Sequence, residues 1–157
     1  MLVRDIMRTE FHAFNIHDTL ASVCESMDSH KLYGAPVIDD QGIIRGIFTR
    51  PHLIRALIEL RDPDTLIQDL MQPSIVTLEP DNDISEAIKM FVDTGYRHYP
   101  VRDSEGHLVG LVLSSDLLQV GAQELYRVFG THRFDYLGNA MIGIDAKGYI
   151  RSVSESA

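Results

Sequence analysis

The chain has little cysteine, little positive charge and no long apolar run, and each shortage excludes a class of protein. Cys24 is the single cysteine among 157 residues, so no intrachain disulfide can form. Lysine and arginine number 14 against 23 aspartates and glutamates, and this net charge of −9 argues against a broad nucleic-acid surface. No stretch reaches the length of a transmembrane helix, and residues 1–8 lack the apolar region of a secretory signal. We therefore expect a cytoplasmic protein with neither a nucleic acid nor a membrane as partner.

The residue patterns that mark common catalytic sites are also missing from the sequence. It has no P-loop and no dinucleotide-binding glycine motif, and no serine or cysteine stands in a nucleophile elbow. Cys24 lies in an apolar helical pattern, which favours a buried structural side chain over a reactive thiol. His17, His30, His107 and His132 show no metal-ligand spacing with carboxylates or with Cys24. These absences predict a protein that is not an enzyme and that has neither a metal site nor a cofactor.

The sequence does contain an internal repeat. Residues 3–54 superpose on residues 67–118 with a constant shift of 64 and no gap. Residue identities recur at this shift in the pairs Asp5 and Asp69, Met7 and Met71, Pro36 and Pro100, Gly46 and Gly110, and Leu53 and Leu117. Because spacing and residue type agree together over this length, the pattern indicates two copies of one structural unit.

Each copy shows the pattern strand, helix, strand, strand, helix. In the first copy the predicted strands are 11–14, 35–38 and 43–49, and the predicted helices are 19–30 and 51–61. In the second copy the predicted strands are 75–78, 99–102 and 108–113, and the predicted helices are 83–95 and 115–129. One unit of this size cannot bury both faces of its sheet. We therefore expect an α/β (α+β) fold in which two βαββα repeats pack sheet to sheet about a pseudo-twofold axis, with ligand clefts between them.

This pattern divides the chain into four parts. Residues 1–61 form the first repeat, residues 62–64 a short charged linker and residues 65–122 the second repeat. Residues 123–157 extend the last helix and then predict a β-hairpin around the turn at 145–148. This hairpin resembles the opening of a PAS sensor domain, which implies that the chain is a fragment of a larger signalling protein. The alternative is a hairpin that packs on the repeats or on a dimer mate.

Three repeated segments resemble the CBS domain pair, also called a Bateman module. They are 3–7 with 67–71, 35–39 with 99–103, and 46–49 with 110–117, and the resemblance covers residues 2–122. It implies a regulatory module that binds AMP, ADP, ATP or S-adenosylmethionine between the repeats and signals to a downstream effector domain. It also implies that two modules pair as a disc-shaped homodimer. The sequence leaves open which of these ligands binds and whether Mg²⁺ accompanies it.

The resemblance also implies a nucleotide site. In the family an aspartate early in the last helix of a repeat commonly holds the ribose hydroxyls, and Asp116 matches it, directly after Ser115. Basic residues before the Pro-Val strand commonly meet the phosphate, and Arg97 and His98 occupy these positions. Family topology places the start of the first repeat in the same cleft. The predicted nucleotide-binding residues are Thr9, His12, Arg97, His98, Ser115 and Asp116.

The equivalent positions of the other cleft depart from the family pattern. His52 stands where the aspartate is expected, and Tyr33 and Gly34 replace the basic pair, although Thr49 is kept. A histidine cannot accept two hydrogen bonds from a ribose as a carboxylate does. We therefore expect at most one good nucleotide site in each chain.

The predicted site residues also have ordinary structural interpretations. Ser115 and Asp116 suit the start of a helix, and Arg97 suits a surface ion pair with Asp93 or Asp103. Leu113 replaces a hydroxyl residue that the family commonly has near the phosphate. A second hypothesis therefore stands beside the first: a ligand-free dimerisation or interaction module of a larger signalling protein.

Overall fold

Two small sheets, one in each repeat, form the centre of the protein. The structure, a computed structural model, describes residues 1–129, 140–144 and 150–155. In chain order its α-helices and strands are α1 (Val3–Ile6), β1 (Phe14–Asn15), α2 (Leu20–Ser29), β2 (Gly34–Ile38), β3 (Ile44–Thr49), α3 (Arg50–Ile58), α4 (Ile84–Thr94), β4 (His98–Arg102), β5 (Leu108–Leu113), α5 (Ser114–Phe129), β6 (Ala140–Ile144) and β7 (Ile150–Glu155), and a short 3-10 helix spans Ile67–Asp69. β2 pairs in parallel with β1 and antiparallel with β3, whereas β4 pairs antiparallel with β5. The predicted mixed α and β architecture of two similar units is confirmed.

Local capping residues determine where the helices begin and end. The hydroxyl of Thr19 accepts the amide of Ser22 at 3.2 Å at the start of α2. The carboxylate of Asp83 accepts the amide of Ser85 at 2.9 Å at the start of α4. Gly95 ends α4 with a φ of 68°, a left-handed conformation that glycine adopts without a side-chain clash. Because these signals are local, the predicted helix positions agree with the structure to within a few residues.

Two of the predicted strands differ from the structure. The strand predicted at 11–14 forms only at Phe14–Asn15, and the segment 75–78 forms no strand. In that segment Leu78 alone bridges to β4, since its amide donates to Pro100 and its carbonyl accepts from Arg102, both at 2.9 Å. A short apolar run predicts an extended segment, but it becomes a strand only where a neighbouring strand supplies successive hydrogen-bond partners.

Hydrogen bonds between the two hairpins mark the pseudo-twofold axis. The amide of Ile44 donates to the carbonyl of Gly106 at 3.1 Å. The amide of Leu108 donates to the carbonyl of Gly42 at 3.0 Å. The shift of 64 residues found in the sequence converts each of these bonds into the other. Ile43 and His107, which are equivalent to each other, form the isolated bridge between them. The repeat in the sequence is therefore also a symmetry of the fold.

The leading segment of each repeat pairs with the sheet of the other repeat. The backbone of Arg8 exchanges two hydrogen bonds with Leu111 of β5, at 2.8 and 3.0 Å. The backbone of Gln72 makes the equivalent exchange with Ile47 of β3, at 2.9 and 3.0 Å. Each sheet therefore gains a backbone bridge from the leading segment of the other repeat.

The same exchange occurs in the hydrophobic cores. The fully buried Val3 of the first repeat joins a core made otherwise from the second repeat, around Tyr99 and Val112. The fully buried Ile67 of the second repeat joins the core around Phe48. Because apolar burial is the main favourable term in folding, neither repeat completes its core alone.

The tail contains the predicted hairpin strands. β6 pairs antiparallel with β7, from Ala140 opposite Glu155 to Ile144 opposite Ile150. The predicted turn at 145–148 lies outside the described residues, and the resemblance to a PAS domain stays a prediction. None of the helices in the described part of the chain combines the length and the apolar character needed to cross a membrane.

Candidate functional site

A cleft of about 460 Å³ lies between the two repeats. Its polar lining consists of Tyr33, Thr49, His52, Gln72, Ser74, Tyr96, Arg97 and His98. Its remaining lining consists of Ile47, Ile75, Val76, Gly95 and Pro100. The volume falls within the range of small-molecule sites, and the mixture of an apolar wall with a few polar groups is typical of them. We call this the Tyr33 cleft.

Tyr33 stands at the centre of a group of cationic and titratable side chains. The guanidinium carbon of Arg97 lies 4.3 Å from the centroid of its ring, and that of Arg50 lies 5.6 Å away. The His98 ring stacks on Tyr33 with a centroid separation of 5.8 Å and an interplanar angle of 12°. An aromatic face attracts a cation because its quadrupole is negative there. Of the groups around the ring, Arg97 and His98 line the cleft together with Tyr33.

His52 caps the start of α3 in the lining of this cleft. Its Nδ1 accepts the backbone amide of Thr49 at 3.0 Å and lies 2.9 Å from the Thr49 hydroxyl. A neutral ring that accepts at Nδ1 carries its proton on Nε2. Burial, with a smaller contribution from Arg55, lowers the pKa of His52. The imidazole is therefore mainly neutral near pH 7.

Asp116 occupies the position equivalent to His52 at the start of α5. Its Oδ2 accepts the amide of Leu113 at 3.0 Å, so Asp116 does cap the start of this helix. The carboxylate also receives a fork of two hydrogen bonds from Arg8, at 2.8 Å to Oδ1 and 3.1 Å to Oδ2. This pair joins the leading segment of one repeat to the last helix of the other.

The six predicted site residues fall into two groups. Arg97 and His98 line the Tyr33 cleft together. The other four lie outside its lining: Thr9, His12, Ser115 and Asp116. Thr9 and His12 are exposed, and the His12 ring lies 4.3 Å from that of His30. Thr9 directly follows Arg8, the residue that contacts Asp116.

The shift of 64 residues relates this second group to the Tyr33 cleft. His52, Gln72 and Val76 line that cleft, and their equivalents are Asp116, Arg8 and His12. We call the symmetry-related region around Arg8, His12, Leu113 and Asp116 the Asp116 cleft. The pseudo-twofold axis therefore separates two regions of similar backbone and different chemistry.

Two features of these clefts were missed from the sequence. Tyr33 was noted only as a departure from the basic pattern, although its ring contacts Arg97 and His98. Arg8 was not selected, because its partner Asp116 is 108 positions away along the chain. Comparison of the two repeats could have identified Arg8. The equivalent residue in the second repeat is the uncharged Gln72, so the two clefts differ in charge at this position.

The sequence spacing predicts no metal ligand at His107, and the structure places its ring close to two carboxylates. Its ligand atoms and those of Asp103 and Glu105 all lie within 4.8 Å of one another, in the turn between β4 and β5. Asp103 Oδ1 accepts the amides of Glu105 at 2.9 Å and His107 at 2.8 Å. These bonds within the turn account for the grouping without a metal ion.

Comparison with known proteins connects these observations to a family. The chain is 29% identical over 120 residues to an uncharacterized protein of Methanopyrus kandleri, and the match covers 75% of this chain and 61% of that protein. In that comparison the chain therefore spans less than two thirds of its relative.

Two solved structures show the same fold. One is CBSX2 of Arabidopsis thaliana in complex with AMP, with a TM-score of 0.68, 24% identity and coverage of 78% of this chain and 97% of that one. The other is the cytosolic domain of the Mg²⁺ channel MgtE in complex with ATP, with a TM-score of 0.67, 27% identity and coverage of 76% and 48%.

The model of the CBS domain matches this chain twice, at residues 3–59 and 67–122. These two matches coincide with the repeated units that exchange their leading segments about the pseudo-twofold axis. The chain therefore belongs to the CBS domain family and carries two CBS domains in tandem.

Proposed function

We propose that this CBS pair is a cytoplasmic regulatory module, not an enzyme, that binds an adenine nucleotide or S-adenosylmethionine in the Asp116 cleft. The observation that carries this proposal is the Asp116 carboxylate, which stands at the start of α5 and faces the leading segment of the first repeat through Arg8. The side chain of Asp116 is 18% exposed and that of Arg8 50% exposed. A carboxylate at this position is an acceptor for the two hydroxyls of a ribose. AMP bound to CBSX2 and ATP bound to MgtE support the ligand class.

Ligand binding in this cleft changes the contact between the two repeats. A ribose that hydrogen-bonds to Asp116 competes with Arg8 for the same oxygens. The displaced guanidinium is then available to a phosphate, which it binds through parallel N–H groups. Because Arg8 belongs to the first repeat and Asp116 to the second, the exchange alters how the repeats are joined. A ligand that favours the exchanged state shifts the population of the module, and a downstream domain or partner responds to that shift.

Calorimetric titration tests this proposal directly. AMP, ADP, ATP and S-adenosylmethionine are titrated into the intact chain with and without Mg²⁺, and into Asp116→Asn and Asp93→Asn. The asparagine at 116 keeps an oxygen for the Leu113 amide but loses the charge, whereas Asp93 is exposed on α4 and forms no hydrogen bond or ion pair with Arg8 or Asp116 in the described residues. We expect about one ligand per chain, with affinity reduced at least about tenfold by Asp116→Asn and unchanged by Asp93→Asn. Binding that survives Asp116→Asn contradicts the assignment of the site.

A ligand-free homodimer module is the second candidate, and exposed apolar side chains on α3 favour it. Ile54, Leu57 and Ile58 are 49%, 54% and 77% exposed, and Leu118 of α5, the equivalent of Ile54, is 60% exposed. Apolar groups that cluster on one surface are typical of protein interfaces. Sedimentation of the intact chain and of Ile58→Glu tests this. A dimer that the charge dissociates supports the interface, and a monomer at all concentrations excludes it.

A further inference from the structure

The Tyr33 cleft has no acidic side chain in its lining. In a chain of net charge −9, the residues that line this cleft include Arg97, His52 and His98 but neither aspartate nor glutamate. A single carboxylate in the wall would offset the one permanent cation, so its absence leaves the cleft electropositive. A site of this kind in an acidic protein favours an anionic ligand.

Arg97 keeps its hydrogen-bond donors available. It forms no ion pair with any side chain in the part of the structure that is described through residue 123, and its contact is with the face of Tyr33. A guanidinium above an aromatic ring is attracted by its positive charge, and this contact leaves N–H donors for other acceptors. Because no hydrogen bond from the Arg97 side chain is found among the residues described through 123, its N–H groups can bind a bidentate acceptor such as a phosphoryl group.

The other polar groups of the cleft complement an anion and not a sugar. Thr49 and Ser74 each offer a hydroxyl, and Gln72 offers an amide. His52 stands where Asp116 stands in the other cleft, and its Nδ1 is already engaged by the Thr49 amide. The ring can then only donate from Nε2, so the double acceptor that recognises a ribose diol is missing.

We propose that the Tyr33 cleft binds phosphoryl anions through their phosphate oxygens alone, and that it does so without recognising a nucleoside. Arg97 supplies the bidentate contact, and the hydroxyls and imidazoles of the cleft supply the remaining donors. The inference deepens the proposed function by assigning the two clefts to different ligand chemistry, but it does not require that the Asp116 cleft is occupied. The two sites of one pair would thus report on a nucleoside-bearing ligand and on a phosphoryl anion separately.

Titration with inorganic pyrophosphate tests this assignment without a nucleoside. We expect saturable binding of about one pyrophosphate per intact chain, and at least about a tenfold loss of affinity in Arg97→Gln. Arg102→Gln is the matched control, because Arg102 lies at the exposed end of β4, the strand that begins directly after Arg97, and outside the cleft lining. The same charge change at position 102 should leave the affinity unchanged.

Substitution of His52 by aspartate, the residue type that Asp116 provides in the other cleft, gives a second readout. Asp116 accepts the Leu113 amide at 3.0 Å as His52 accepts the Thr49 amide at 3.0 Å, so His52→Asp keeps the helix cap. We expect His52→Asp to weaken pyrophosphate at least about tenfold by adding negative charge, and to raise the AMP stoichiometry toward two per chain. His52→Asn keeps a capping oxygen without the charge, and it should lose far less pyrophosphate affinity than His52→Asp.

The outcomes separate this inference from the proposed function. No saturable pyrophosphate binding to the intact chain up to about 10 mM overturns the inference, as does binding that Arg97→Gln leaves unchanged. In either case AMP binding that depends on Asp116 leaves the proposed function standing. Conversely, pyrophosphate binding that depends on Arg97, in a chain that binds none of the adenosine ligands, supports the inference and overturns the proposed function.

Discussion

Arg97 and Tyr33 hold equivalent positions in the two repeats and contact each other, with the guanidinium carbon 4.3 Å from the ring centroid. Equivalent residues meet where a twofold axis passes between them, so this contact lies close to the pseudo-symmetry axis. One repeat contributes an aromatic ring there and the other a cation. The two clefts on either side of the axis therefore cannot have the same chemistry, although their backbones are related by symmetry.

A double-mutant cycle measures the coupling between these two residues. We expect Tyr33→Leu and Arg97→Gln to show a coupling of about 0.5–1 kcal/mol in the free energy of unfolding, the range of an exposed cation–π contact. Chemical denaturation of the four proteins gives this value. Free energies that simply add would show that the two side chains are near each other without interacting.

Arg8→Gln tests the competition between Arg8 and a ribose for Asp116. Glutamine is the residue that the second repeat has at this position, as Gln72. Because the pair is partly exposed, we expect a loss of stability of at most about 1 kcal/mol. We expect AMP to bind a few-fold more tightly, because the gain at the ribose, which no longer displaces a charged partner, exceeds the loss of the Arg8 contact with a single phosphate. A large loss of AMP affinity would show instead that the Arg8–phosphate contact outweighs the competition.

The two cleft histidines predict a decrease in stability toward acid pH. Burial, followed by Arg97, lowers the pKa of His98, and burial, followed by Arg55, lowers that of His52. Below the ordinary histidine pKa of about 6.5 the unfolded chain binds more protons than the folded chain at these rings. The free energy of unfolding therefore falls as the pH falls through this value, and stability is regained above it.

Denaturation at about pH 7.5 and about pH 5.5 measures this effect in the intact chain and in the double variant His52→Asn, His98→Asn. The double variant should lose part of the difference between the two pH values. Asp83, whose pKa is lowered chiefly by its hydrogen bond with the Ser85 side chain, loses its contribution only as the pH falls below about 3.8 and so stays outside this range. An unchanged difference in the double variant would contradict the assignment to these rings.

Gly46 and Gly110 predict unequal costs for the same substitution. A Cβ at Gly46 would lie 2.5 Å from the carbonyl oxygen of Gln72, which is backbone of the exchanged segment. A Cβ at Gly110 would lie 2.6 Å from Met7 Sδ, which belongs to a flexible side chain. We expect Gly46→Ala to cost about 1–3 kcal/mol and Gly110→Ala clearly less, as measured by thermal or chemical denaturation. Equal losses would show that the Met7 side chain cannot move aside.

Helices and turns were the part of the fold that local sequence could predict. Thr19, Asp83 and Gly95 act within one turn of their own position, so the residue type and its neighbours suffice. The segment 75–78 shows the limit, because its apolar pattern is that of a strand but it gains only the bridge at Leu78. The candidate site was predictable as a set of residue types, and not as a single place. Arg97 and His98 lie in the Tyr33 cleft, whereas Asp116 contacts Arg8 elsewhere.

The sequence by itself determined that this protein is a duplication, with one shift relating every anchor residue. It also determined that the first repeat has His52 at the position where the second repeat has the carboxylate of Asp116. Only the tertiary structure decided that the copies exchange their leading segments, so that Arg8 meets Asp116 at a separation of 108 residues. The physical reason is that capping and turn formation depend on neighbours in the chain. Contacts across a symmetry axis depend instead on how two complete units bury their apolar faces together.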